Sequence, residues 1–397
     1  MSVESAVESP SLRPEQAVDS FSPHPNPLPE GEGTEVVPPP PAGKGVRGLG
    51  PALPRRSFLV GSLPLLAAAG LGFLWLAERR IRGAQVERSA SPLFAPPAVA
   101  PRAAGFPVPG QPPEVTPTES FYVVSKNVED PAPMLDVWRL KVAGRVDREL
   151  ALDLGALTGQ ERVDQYTTLR CVSNPVGWPL MSNGLWSGVP LVALLEQAGL
   201  RADARWVVAR GADGHHEDLP LAVALAPDTL VAYALNGSLL ERRHGYPARL
   251  VVPGHYGFKN VKWLESVEVV ADDQPGLWPS RGWTHEGIMV TAARIDLVRR
   301  EGGTLLVAGV ALAGTRGISR VDVRTVDAGP GEWRPAELNQ PPLGRATWVQ
   351  WRAEIPAPPG GRVEARAVDG EGNPQDERQS GPYPDGASGL QSVEVPT

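Results

Sequence analysis

Apolar and polar positions fall into two regimes, and the border lies near residue 118. Beyond it, Trp138, Leu140 and Val142 alternate with Arg139 and Lys141, which is the period of a strand with one buried face. Pro190 opens a predicted helix whose apolar residues are Leu191, Leu194 and Leu195, and Gly199 closes it. Residues 204–209 and 229–235 read as strands, the second ended by the turn pair Asn236-Gly237. Further strands are predicted over 249–252 and 261–270. After about residue 287 helical periodicity almost vanishes, and 304–310, 318–326, 346–355 and 362–368 are short β segments with turn residues between them. Many strands with few helices predict an α+β fold rather than a doubly wound sheet. The spacing of the last segments predicts a β-sandwich of immunoglobulin type, in architecture alone, because the cysteine pair of antibody domains is missing.

Before the border the pattern is different. Residues 1–54 carry prolines at 23, 25, 27 and 29 and again at 38–41, with Phe21 as the one aromatic. Such a stretch cannot bury enough apolar surface to offset its ordering entropy, so it is expected to be a disordered extension. Arg55-Arg56-Ser57-Phe58-Leu59 then leads into an uncharged run over 57–77. At about 1.5 Å per residue that run just spans a bilayer core. Two readings stand: a twin-arginine export signal kept as an anchor, or an ordinary anchor with a chance arginine pair. Glu78-Arg79-Arg80 follows at once, and the small-residue triplets at 89–91 and 98–100 each precede a proline, a poor context for cleavage. Residues 55–80 are therefore expected to stay attached, holding the rest of the chain outside the cytoplasmic membrane. Residues 81–117, rich in Pro and Ala, read as a tether. Two globular domains, 118–286 and 287–397, remain.

The net charge of −7, with signs interspersed, gives no basis for nucleic-acid binding. The chain holds a single cysteine, Cys171, which excludes an internal disulfide, a multi-cysteine zinc site, a four-thiolate iron–sulfur cluster and CxxCH haem attachment. Alone, Cys171 is either a small buried hydrophobe or one soft ligand for a metal.

Three blocks carry a resemblance to the sulfite oxidase family of molybdopterin-dependent oxidoreductases, covering the chain from about Pro117 to near its end. The first runs from Leu169 through Cys171 and Asn174 to Trp186-Ser187-Gly188-Val189-Pro190-Leu191. The second is Ala232-Tyr233-Ala234-Leu235-Asn236-Gly237. The third is His244-Gly245-Tyr246-Pro247-Ala248-Arg249-Leu250-Val251-Val252-Pro253-Gly254, continued by Gly257, Lys259 and Val261-Lys262-Trp263-Leu264. The resemblance implies a sulfite-oxidase-type molybdopterin domain followed by the family's immunoglobulin-like dimerisation domain, hence a possible homodimer. It implies a molybdenum centre held by one pyranopterin dithiolene and one protein cysteine. Cys171 matches that ligand, as catalytic residue and metal ligand together. His244 and Arg249 match cofactor-binding residues, Lys262 with Asn260 and Val261 the phosphate-side segment, Asp213 a pterin-binding carboxylate, and Tyr122 to Lys126 a cofactor-contacting stretch.

The chain departs from that pattern at two places. Sulfite-oxidising animal and plant relatives carry an arginine five residues after the cysteine, where this chain has Val176, and another in the stretch matching Val123 to Ser125, where this chain has none. A dianion needs compensating cations, and His255, Lys259, Arg281 and His285 are the candidates to supply them. The expected function is two-electron oxygen-atom transfer on a small molecule such as sulfite. Electrons would pass to a separate carrier, a cytochrome or a quinol protein. The alternatives are a sulfoxide-type reductase on the same scaffold, a hydrolase with Cys171 as nucleophile, and a non-catalytic binding module.

Overall fold

A computed structural model describes residues 105–326 and 329–396. The predicted extension (1–54), the predicted signal or anchor (55–80) and the tether as far as residue 104 lie outside the described residues. No described helix is long and apolar enough to cross a membrane.

The first half holds two sheets. The alternation around Leu140 becomes β1 (Leu140–Gly144), which pairs antiparallel with β2 (Leu150–Leu152) and parallel with β10 (Leu264–Val270). On the far side of β10 come β5 (Trp206–Gly211) and β6 (His216–Pro220), both antiparallel. The second sheet runs β3 (Val163–Arg170), β4 (Met181–Pro190), β7 (Leu230–Leu235), β8 (Ser238–Leu239), with β9 (Arg249–Val251) also paired to β7. Three short helices complete it: α1 (Leu154–Thr158), α2 (Leu191–Ala198) and α3 (Leu221–Ala224). Helix α2 begins after Pro190 and ends at Gly199, whose φ of +74° few side chains tolerate. Its buried face, Leu191, Leu194, Leu195 and Ala198, meets Leu140, Val142, Val207, Leu250 and Val267 in one core. Each such fully buried Leu or Val stabilises the fold by roughly 1.5–3 kcal/mol.

The second half is all β. One sheet orders β11 (Ala292–Glu301), β12 (Thr304–Leu312), β16 (Val349–Pro356) and β15 (Glu337–Leu338); the other orders β14 (Arg334–Pro335), β13 (Ile318–Val326), β17 (Arg362–Asp369) and β18 (Gln391–Glu394). Both are antiparallel. Ile295, Val307, Trp351 and Ile355 of the first pack with Val321, Val323, Val363 and Ala365 of the second in a shared core. A further apolar cluster joins the halves: Val172 and Met181, on either side of the turn after β3, pack with Tyr256, Phe258, Val310, Leu312 and Trp348.

The last part of the predicted tether differs from expectation. Residues 105–117 are laid against both halves. Val108 is buried with Leu306 and Ala308 of β12, and Gln111 Nε2 donates to Gly309 O (2.5 Å) and Trp351 O (3.1 Å). Farther along, Glu114 O accepts from Trp348 Nε1 (2.9 Å) and Asn183 Nδ2 (2.8 Å). Proline keeps such a strand extended without needing a donor of its own, so the composition that suggests a loose tether also suits a fixed strap.

Candidate functional site

Strand β3 ends at Arg170, and Cys171 begins the turn toward β4. The Cys171 N–H donates to Leu180 O at 3.0 Å. Asn174, buried inside the turn, accepts the Leu180 N–H on Oδ1 at 3.0 Å. The turn is thus held at both ends and the thiol has a fixed place. Cys171 is partly buried, with Sγ 3.0 Å from Ser173 Oγ. Burial pushes its thiol pKa up, against the opposing Ser173 hydrogen bonds and the Arg170 charge. A protonated thiol is the resting state this predicts, and a coordinated metal would remove the proton.

Tyr122 connects this thiol to the next group. Its hydroxyl lies so near Gly257 that a Cβ there would sit 2.7 Å from it. The phenol is raised by burial and by negative charge on Cys171, while Arg249 acts the other way. Arg249, at the start of β9, is 5% exposed and lies over the Trp186 ring at 5.0 Å. It donates to His244 O and Asn260 O, both at 3.1 Å, and its buried Nε has no partner. Among the described residues no carboxylate pairs with it, and burial lowers it to about 10.

His244 closes the 3-10 turn Arg242–His244, edge-on to Phe121 at 5.7 Å. Burial first, then the charges of Arg243 and Arg249, lower it to about 3, so it is neutral. Gly245 follows at φ +105°, and a Cβ there would meet Lys262 Cβ at 3.0 Å and Arg249 Cβ at 3.2 Å. Lys262 donates to Arg243 O (3.1 Å), covers the Trp263 ring (4.2 Å) and is lowered to about 8 by burial and by Arg249. Arg249 depresses Lys262, with Asp130 and Asp213 acting the other way, and Arg249 itself has no carboxylate partner among the described residues, an arrangement that suits an anion. Asn260 acts through its backbone: its carbonyl accepts from Arg249, while its own Oδ1 accepts the Val252 N–H at 2.7 Å. Val261 is buried, its carbonyl accepting the Leu250 N–H. Lys126 and Asp213 come together at the β5–β6 turn, Nζ to Asp213 O at 2.7 Å and to Oδ2 at 3.8 Å. That turn is tied to the Lys262 segment by the Ala212 N–H to Trp263 O bond, 2.9 Å.

The expected substrate cations have partners of their own among the described residues. Lys259 is 1% exposed and held by Glu217 (3.2 Å) and Asp218 (3.1 Å) of β6. Two adjacent buried carboxylates need a counter-charge there. His285 is bonded to Asp218, 2.9 Å from Oδ2. Asp218, Asp273 and His285 offer atoms within 4.8 Å of one another, but the Lys259 ammonium already occupies Asp218. Arg281 is exposed, over the Trp278 ring at 5.8 Å. His255 is lowered by burial and lies 3.1 Å from Pro253 O. His216 opens strand β6, and His215 just before it has Nε2 2.9 Å from Phe258 O. Val176 alone of the candidates lines a cavity beside the Cys171 turn, shared with Arg170, Trp178 and Arg294. Neither arginine is singled out by sequence patterning. Arg170 has one signal, its place next to Cys171.

The family described as "Oxidoreductase molybdopterin binding domain" matches residues 127–278. Over 314 residues the chain is 31% identical to the sulfite oxidase of Gallus gallus, covering 66% of this chain and 68% of that one. The chain belongs to the sulfite oxidase family of molybdopterin-dependent oxidoreductases. It is 32% identical over 176 residues to the uncharacterized oxidoreductase YuiH of Bacillus subtilis, covering 44% of this chain and 87% of that one. In fold it is similar to the sulfane dehydrogenase SoxCD of Paracoccus pantotrophus, with a TM-score of 0.62 at 23% identity, over 71% of this chain and 81% of that one. Membership in the family makes it a molybdenum-cofactor oxidoreductase whose cofactor is molybdenum–molybdopterin. It acts on a small molecule and exchanges electrons with a separate partner. The residues fit that group: a single soft thiol, and a buried arginine with an unpartnered Nε beside Lys262, matching an anionic pterin phosphate.

Proposed function

We propose that Cys171 is the protein ligand to molybdenum and that His244, Arg249 and Lys262 hold the phosphate end of the pterin, with Tyr122, Lys126, Asp213 and the Asn260–Val261 backbone along its length. The observation that carries this is Arg249, a buried cation with a free Nε and no facing carboxylate. When bound, the cofactor supplies the two-electron couple and the oxygen-atom transfer. The protein fixes the thiol through the Asn174 turn and excludes water with Tyr122 and Trp186. For sulfite the balance is one water in, one sulfate out, with two protons and two electrons leaving, the electrons to a cytochrome or quinol protein. Val176 at the cavity also favours a second reading, reduction of a sulfoxide-type substrate on the same scaffold. A hydrolase is disfavoured: Sγ is bonded to Ser173 rather than to a histidine, and its pKa is raised rather than lowered. Molybdenum and pterin analysis of purified wild type, Cys171→Ser and Arg249→Ala tests the assignment. Cys171→Ser should lose turnover, because an alcohol is a harder ligand, and Arg249→Ala should lose most of its pterin while still folding. Full turnover in the serine variant would overturn the ligand assignment.

The two four-stranded sheets of the second half support an immunoglobulin-like sandwich of the family's dimerisation type, and with it a homodimer. The Arg55-Arg56 pair supports export of the loaded enzyme, with 57–77 as a retained anchor and the catalytic part outside the cytoplasmic membrane. Replacing both arginines by lysine should leave the enzyme in the cytoplasm when cells are fractionated; unchanged export would sink this reading.

A further inference from the structure

Between the buried anchors Phe121 and Trp138 lies a segment with no buried residue. Residues 123–137 form neither helix nor strand, and Val128, Met134 and Val137 are each more than half exposed. Apolar burial therefore does little to hold the segment in place. Two polar latches hold it instead. At one, Lys126 Nζ donates to Asp213 O at 2.7 Å and Asn127 Nδ2 to Asp213 Oδ2 at 3.2 Å. At the other, Arg242 donates to the carbonyls of Asp130 and Pro131, the latter from Nε at 2.9 Å. The two latch points flank Lys262. Ala212, beside Asp213, bonds to Trp263 O, while the Arg242 and Arg243 carbonyls accept the Trp263 indole N–H (2.7 Å) and the Lys262 ammonium (3.1 Å). The charges of Asp130 and Asp213 both act on that ammonium. The anchors reach the same region: Phe121 is edge-on to His244 at 5.7 Å, and Trp138 Nε1 donates to Leu264 O at 3.1 Å.

We infer that residues 123–137 are a lid over the phosphate end of the cofactor cradle, hinged at Phe121 and Trp138, latched by Arg242 and Asp213, and opened to admit the pterin. The inference rests on the cradle proposed above. His244 and Arg249 are 1% and 5% exposed, so an anion reaches them only if a wall moves. Strand β9 is fixed by its ladder to β7, and β10 by its ladders to β1 and β5. The 123–137 segment has no ladder and no buried apolar side chain, which places it at the low end of local opening free energies. Opening it uncovers little apolar surface, so the latch bonds set the cost. Retention of the pterin then depends on the same bonds. Removing the Arg242 side chain takes two charge-assisted hydrogen bonds from the shut lid. It leaves the cradle in place, because that side chain is 47% exposed and Trp263 is held by the backbone carbonyl.

The test follows pterin retention in the full chain, purified loaded and freed of unbound cofactor. Released pterin is measured over time by its fluorescence, at a temperature where the wild type loses its pterin measurably. Arg242→Ala should release pterin about tenfold or more faster than wild type. Arg242→Lys, which keeps the charge but not the guanidinium fork, should lie between the two. Protein made in a host without molybdopterin supplies the cofactor-free reference. Its chemical unfolding should be unchanged by Arg242→Ala, and hydrogen exchange of the 123–137 amides should slow on loading. Equal release rates for wild type and Arg242→Ala would overturn the lid, as would faster release matched by an equal loss of cofactor-free stability. Exchange over 123–137 that is identical with and without cofactor would do the same. An Arg249→Ala protein that purifies fully loaded would sink the cradle assignment instead.

Discussion

Glu217 shows what burial does to a single side chain in this protein. It is fully buried, and the Lys259 ammonium is 3.2 Å from one of its oxygens. Burial still outweighs that attraction and raises the carboxyl to about 7. The folded chain therefore binds a proton that the unfolded chain releases between its ordinary value of 4.5 and about 7. Stability from this group is present at low pH and falls as pH rises through that window. Glu217→Gln removes the effect. Relative to wild type, the glutamine variant should gain roughly 1–3 kcal/mol between pH 5 and pH 8. Chemical unfolding at the two pH values reads the difference, and a constant offset would show that Lys259 fully offsets the burial cost. The sequence makes Cys171, His244, Arg249 and Lys262 legible because each lies in a dense local motif. Arg170 is different. Its partners Val290 and Ala387 lie 120 and 217 positions away, so its role depends on tertiary contacts that no local pattern carries.

At the scale of elements, the strands that are readable have one wet face. β1 alternates buried and exposed positions, and residues 318–326 and 362–368 mark β13 and β17 closely. β4 escapes because residues 181–189 are buried on both faces, so its sequence has no alternation to read. The predicted strand over 261–270 starts late, at Leu264, because Trp263 turns the chain at φ +50°. That left-handed residue, uncommon outside glycine, has a visible consequence. It takes Lys262 out of the ladder and lets its ammonium reach Arg243 O beside Arg249. The proposed cofactor cradle is thus made from an interrupted element, and propensity favours the uninterrupted one. The family pattern Val261-Lys262-Trp263-Leu264 marks the place without saying that the strand breaks there.

At the scale of the whole molecule, the strap over 105–117 ties the two halves together. Its carbonyls accept from Trp348 and Asn183, and Pro112 O accepts from Gln350 Nε2 at 2.7 Å. The donors are 2%, 0% and 1% exposed. Asn183 belongs to β4 and the other two lie in or just before β16, so one extended segment satisfies buried donors on both sides. Without it each donor must find water or go unpaired, at a cost of about 1–3 kcal/mol apiece, and Val108 leaves its apolar seat. A chain starting at Thr118 should therefore be several kcal/mol less stable than one starting at Gly105. At roughly 2–4 °C per kcal/mol for a chain of this size, the melting temperature should drop by about 10 °C or more. Two chains that melt together would show that water replaces the strap without loss, and that the halves are held by the Val172–Trp348 apolar cluster instead.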